Sequence, residues 1–190
     1  MDSRRTPPAK PFGRVVDLGR QLVKAGVSAV VRRKIMQGAD KIRQRTSAKQ
    51  KAAWLADAMD RMDELLPEAV RYAVRQECAC CTTGFRLKQI KQLARAHTDL
   101  KDFVQALDQS HLFGREVLLK GSALHVDFGL QRCVCTVKAA TRPVSITYCH
   151  CCKGHVIKLL EAALGRSLRG DVVGSACSGS PLCRFIIYLD

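Results

Sequence analysis

Apolar positions along the first half of the chain recur at helical spacing. From Val15 to Ile42 they fall at Val15, Leu18, Leu22, Val23, Val27, Val30, Val31 and Ile35. This predicts an amphipathic helix, weakened where Gly26 and Gly38 interrupt it. Its other face is basic: Arg20, Lys24, Arg32, Arg33 and Lys34. A clearer helix starts at Ser47, because Gln50 stands three residues on and completes a capping box. Its stripe is Ala53, Leu55, Ala56, Met59 and Met62, with Trp54 near one end, and its methionines read as core filler. Pro67 suits the start of the next helix, which carries Ala69, Val70, Ala73 and Val74. Two more helices follow, from Phe85 to about Ala96 and, capped by Thr98 or Asp99, from Leu100 to Leu107.

The period then changes to two. Ala123–Phe128 alternates through Leu124, Val126 and Phe128, the mark of a half-buried strand. Cys133–Val137 and Val144–Cys151 read as two more strands, and Leu168–Val173 and Leu182–Leu189 as closing ones. Between them Lys153 to Leu164 places Val156, Leu159, Leu160, Ala163 and Leu164 on one face of a helix that Gly165 stops. The sum is an α+β fold: a helical N-terminal half, then an antiparallel sheet of about four to five strands with a long helix packed on it. Three regions are expected: a disordered arm over 1–14, a basic helical region over 15–76 and a cysteine-rich α+β domain over 77–190.

Composition adds two departures from an ordinary globular chain of 190 residues: a net charge of +15 and 10 cysteines. Residues 1–51 hold 14 Lys and Arg against 3 Asp and Glu, a net +11, whereas 52–109 carry −1 and 110–190 carry +5. The basic stretch over 14–51 suits nucleic acid or another anionic surface, or simply a solvated face. It lacks the interleaved aromatics of a single-strand binder. No stretch approaches the ~18 apolar residues of a membrane span. No apolar signal core follows the N-terminus, so a cytoplasmic location is expected, and a homodimer is one expected assembly.

Eight of the cysteines form three tight groups: Cys78, Cys80 and Cys81; Cys133 and Cys135; Cys149, Cys151 and Cys152. Cys177 and Cys183 flank a Gly/Ser turn and read as small buried hydrophobes. A disulfide framework would need an oxidising compartment, and neighbouring cysteines pair with each other poorly. Clustered thiolates select a soft metal, so zinc is expected, with an iron–sulfur cluster as the other option. Residues two apart on a strand share a face, which would turn Cys133 with Cys135, and Cys149 with Cys151, towards one point. The expected ligands are Cys81, Cys135, Cys149 and Cys151, with Cys78, Cys80, Cys133 and Cys152 in reserve. All-thiolate sites are structural more often than catalytic.

The run S-I-T-Y-C-H-C-C-K-G-H over 145–155, a helix, and G-R-S-L-R-G-D-V-V-G-S-A-C-S-G-S-P-L-C-R-F-I-I-Y-L over 165–189 carry a resemblance. They resemble a bacterial and archaeal cysteine-rich family of unknown function. The layout is similar to 4-vinyl-reductase-like and L-2-amino-thiazoline-4-carboxylic acid hydrolase-like domains. The shared pattern maps onto Cys78 to Cys81, onto Cys133 and Cys135, and onto Tyr148, Cys149 and Cys151. Cys152 stands where such domains often have Ser, and the first group has three cysteines rather than two. The resemblance covers about 76–190 and leaves the basic quarter outside. It implies a small-molecule-binding α+β module, some of whose relatives carry cysteines suited to metal.

The function expected is therefore a metal-binding, small-molecule-binding or sensory module. One alternative is a basic, zinc-stabilised nucleic-acid-binding protein. The other is a small hydrolase with a cysteine nucleophile, in which Cys149, Cys151 or Cys152 would work with His150 or His155.

Overall fold

A computed structural model of the chain describes residues 10–79, 81–129 and 132–190. Of the residues expected in the arm, 1–9 lie outside that set, and Pro11 bridges to Arg43 just before the first helix. Seven α-helices and four strands make up the regular structure of the described residues. They are α1 (Gly13–Lys24), α2 (Ala29–Ile35), α3 (Ala48–Leu65), α4 (Glu68–Glu77), α5 (Gly84–Ala96), α6 (Leu100–Gln109), β1 (Glu116–Lys120), β2 (Ala123–Asp127), α7 (His150–Leu164), β3 (Arg169–Gly174) and β4 (Arg184–Tyr188).

The helix starts follow capping chemistry. Ser28, Ser47, Thr83 and Asp99 each accept a hydrogen bond from a backbone N–H in the first turn of the helix they precede. The long basic helix predicted from Val15 to Ile42 is instead split into α1, α2 and a single 3₁₀ turn over Ala39–Lys41. The breaks fall where Gly26 and Gly38 turn the backbone left-handed, at φ +70° and +75°. Val15, Leu18, Leu22 and Ile35 are buried, so most of the stripe packs on the body, while Val23 and Val30 stay 57% exposed.

The sheet is wholly antiparallel, in the order β1-β2-β4-β3. Its register puts Val126 opposite both Val117 and Phe185, and Leu124 opposite Ile187, so these buried side chains share the inner face. Helix α7 lies between this sheet and helices α4 and α5. Its first eight residues, His150 to Ile157, are all buried, polar ones included. One apolar core runs from Val15 to Leu189 without a break between the helical half and the sheet.

Two expected strands are absent. Cys133–Val137 leads into a 3₁₀ turn over Thr136–Ala139, and Val144–Cys151 into a second over Ile146–Cys149 that runs on as α7. The alternation there is only a few residues long, and Ser145 caps the turn by accepting from Thr147 N. Side chains in these segments therefore do not follow the two-residue rule of a strand.

Candidate functional site

Because C-H-C-C enters a helix, Cys149 and Cys152 come to lie one turn apart rather than Cys149 and Cys151 two apart on a strand. The segment bearing Cys133 and Cys135 is held beside them by its anchorage on α3. Val137 and Val144 are buried there, and Arg142 donates to Asp57 at 2.9 Å and also pairs with Asp60. A third segment, the turn between β3 and β4, is tied in by Val144 N donating to Cys177 O at 2.8 Å and Phe128 N donating to Cys183 O at 3.0 Å.

These ties bring sulfur atoms from separate stretches of chain together. Cys135 Sγ lies 3.8 Å from Cys152 Sγ, and Cys149 Sγ lies 3.3 Å from Cys177 Sγ. Ser175 Oγ is 2.8 Å from Cys149 Sγ and 3.3 Å from Cys177 Sγ. Cys133 lies near enough to both pairs for Cys135 and Cys177 to act on its charge. Their mutual hydrogen bonds divide the thiols into donors and acceptors. Cys133 is pushed down to about 3 by hydrogen bonds from Cys135 and Cys177. Cys149 is lowered by Cys177, against the opposing effect of burial, and further by Ser175. Cys135, Cys152 and Cys177 are raised, chiefly because each gives its proton to a neighbouring sulfur. Cys133 is therefore the most acidic of these sulfurs, with Cys149 shifted in the same direction, and the thiolate is the form that binds metals and attacks electrophiles.

A cavity of about 250 Å³ opens on this cluster. Cys81, Cys133, Cys135, Cys149, Cys152 and Cys183 all line it, together with Leu112, Phe113, Phe128, Phe185 and Val134. Arg86 and His155 form its polar end, with His111 also on the wall. Arg86 Nη1 lies 3.0 Å from Leu112 O and 3.3 Å from His155 Nε2. A guanidinium only donates, so Nε2 must accept, and the ring is neutral with its proton on Nδ1. Nδ1 then donates to Thr82 Oγ1 at 3.1 Å. Burial, and after it the Arg86 charge, pushes the His155 pKa down to about 4, in keeping with that tautomer.

The sequence-derived candidates are placed as follows. Cys81, Cys135 and Cys149 line the cavity, as do the reserves Cys133 and Cys152. Cys151 is buried in α7 and does not line it. Cys78 turns into the core, donating to Val74 O at 3.3 Å, beside Arg75 and Tyr148. Cys80 lies outside the described residues. Among the described residues no group of three or more His, Cys, Asp or Glu side chains is arranged to hold a metal ion. Neither histidine proposed as a base is hydrogen-bonded to a described cysteine: both nitrogens of His155 are engaged, and His150 stacks on Tyr72 at 3.6 Å with Nδ1 buried and unpartnered. Cys177, Cys183 and Arg86 were not recognisable as site residues. The nearest signal was the position of both cysteines at a Gly/Ser turn, and nothing local marked Arg86.

No curated protein and no solved structure matches the chain. No helix among the described residues is long and apolar enough to cross a membrane. Residues 19–190 match the model of the Family of unknown function (DUF6144), which takes in most of the basic helical region as well as the cysteine-rich part, and the chain belongs to that family.

Proposed function

We propose that this chain is a sensory or small-molecule-binding module whose cavity carries a thiolate centre for a soft metal, zinc or an iron–sulfur cluster. One observation carries the reading: cysteines from four separate segments line a single cavity. The ligands would come from Cys81, Cys133, Cys135, Cys149 and Cys152, with Cys151 behind them in the helix. Tetrahedral zinc at ~2.3 Å from each sulfur needs sulfurs about 3.8 Å apart. Cys135 and Cys152 stand at 3.8 Å. The remaining thiols would have to turn about their side-chain bonds to meet a common centre. The resemblance to 4-vinyl-reductase-like domains adds the small-molecule part of the reading. A reducing compartment such as the cytoplasm would keep these thiols unbridged.

Elemental analysis and a visible absorption spectrum of protein purified without oxygen test it. The expected result is stoichiometric zinc without colour, or iron with a brown absorbance, and loss of the metal in the double variant Cys135→Ser, Cys149→Ser. A metal-free protein with every thiol titratable would overturn the metal centre.

A further inference from the structure

The cavity holds an asymmetry that the thiols do not explain. Its lining includes a guanidinium, Arg86, but no Asp or Glu. Among the described residues no carboxylate lies within ion-pair distance of Arg86. Its partners, Leu112 O and the neutral His155 ring, are both uncharged and both engage Nη1.

A guanidinium has five N–H donors. With Nη1 spent on those two contacts, Nε and Nη2 have no hydrogen-bond partner among the described residues, and they form the side-on fork that matches a carboxylate. The His155 ring is itself fixed by Thr82, so the guanidinium is braced from behind. Apart from the cysteines and histidines, the rest of the lining is mainly apolar or aromatic: Leu112, Phe113, Phe128, Phe185 and Val134. A dianion such as phosphate would demand more donors than one fork supplies, and such walls would leave its oxygens unsatisfied.

We infer that the cavity binds a small organic carboxylate with an apolar or aromatic body, its acid group seated on Nε and Nη2 of Arg86. The body lies along the phenylalanines, and its far end meets the thiols. Arg86 is the anchor and His155 its positioning residue. The inference rests on the small-molecule part of the proposed function and names the ligand class.

The test is a calorimetric titration of the full chain, as purified, with 3-phenylpropanoate and with its neutral amide. The acid is expected to bind, and the amide roughly tenfold more weakly or worse, since a charge-assisted pair is lost. Arg86→Gln should weaken the acid by roughly tenfold or more while leaving the amide unchanged. Arg86→Lys should fall between, because it keeps the charge without the fork. Thermal midpoint and metal content are read on the same samples. If Arg86→Gln fails to melt cooperatively, the acid-to-amide ratio of the unaltered protein and the Arg86→Lys result decide. Equal affinity for acid and amide, unchanged binding in a folded Arg86→Gln, or no binding of the acid would overturn the inference. Acid binding by metal-free protein would leave it standing and remove the thiolate-metal centre. Metal present without acid binding would do the reverse.

Discussion

Arg71 and Arg86 are both partly buried, and the fold treats them in opposite ways. Arg71, on α4, meets Asp63 at 3.0 Å and Glu68 at 3.5 Å, while Thr147 donates to the same Asp63 at 2.6 Å. This network ties α3 and α4 to the segment just before α7, and every charge in it has a partner supplied by the chain. Among the described residues Arg86, on α5, has only a carbonyl and a neutral imidazole as partners. A partly buried guanidinium with no carboxylate beside it fastens no helix, in contrast to the ion pairs of Arg71. The difference separates a charge used to fasten helices from a charge held ready for a ligand.

The fastening can be broken most severely where backbones touch. A Cβ at Gly154 of α7 would collide with the backbone carbonyl of Gln76 on α4. Gly154→Ala should therefore destabilise by about 3 kcal/mol or more, and loosen the cysteine cluster with it. A urea melt measures this, and an unchanged midpoint would show that α7 does not pack as described. Asp63→Ala should cost about 1–3 kcal/mol, because Arg71 and the buried Thr147 lose their acceptor. The equivalent loss at Arg86→Gln should be smaller, since no ion pair is broken there. If the two variants prove equally destabilising, the contrast between the two arginines fails.

Acid sharpens the same contrast. His155 is buried and neutral with a pKa of about 4, below its ordinary 6.5. The unfolded chain therefore takes up the proton first. The stability contributed by neutral His155 is complete above pH 6.5 and is lost as pH falls towards 4, at about 1.4 kcal/mol per pH unit. Thermal midpoints between pH 7 and pH 4 should fall, and His155→Gln should flatten that slope by about one proton's worth. A slope unaltered by the substitution would mean that His155 is not held buried and neutral as described.

Thiol chemistry offers a gentler probe. Cys133 is acidic and only partly buried, whereas Cys78 is buried with its pKa raised by desolvation. Iodoacetamide at pH 6 should label Cys133 ahead of Cys78 in metal-free protein, read by peptide mass spectrometry. The smallest effect expected is at Phe85, next to Arg86 yet 74% exposed. Phe85→Ser should change stability by no more than about 0.5 kcal/mol.

The helices α3 to α7 and the strands β2, β3 and β4 were legible along the chain, because each carries its own period and, in several cases, its own cap. The cysteine segments were not. Cys133–Val137 and Val144–Cys151 alternate for only a few residues, too briefly to separate a strand from a turn leading into a helix. The rule of two consequently paired Cys149 with Cys151, whereas helical spacing pairs it with Cys152.

Apolar periodicity, caps and the grouping of thiols are local properties, set by neighbours within a turn or two of the chain, and the amino-acid sequence determined them alone. From these came the α+β class, the burial of Met59 and Met62, and the suspicion that the cysteines act together. Which sulfurs meet is a long-range matter: Cys149 and Cys177 are joined by the β3–β4 turn folding back on the segment before α7. Arg86 acquires its meaning the same way, from a histidine 69 residues on and a loop carbonyl 26 residues on. Such encounters depend on how the elements pack as bodies, and no stretch of sequence short enough to show a period contains that information.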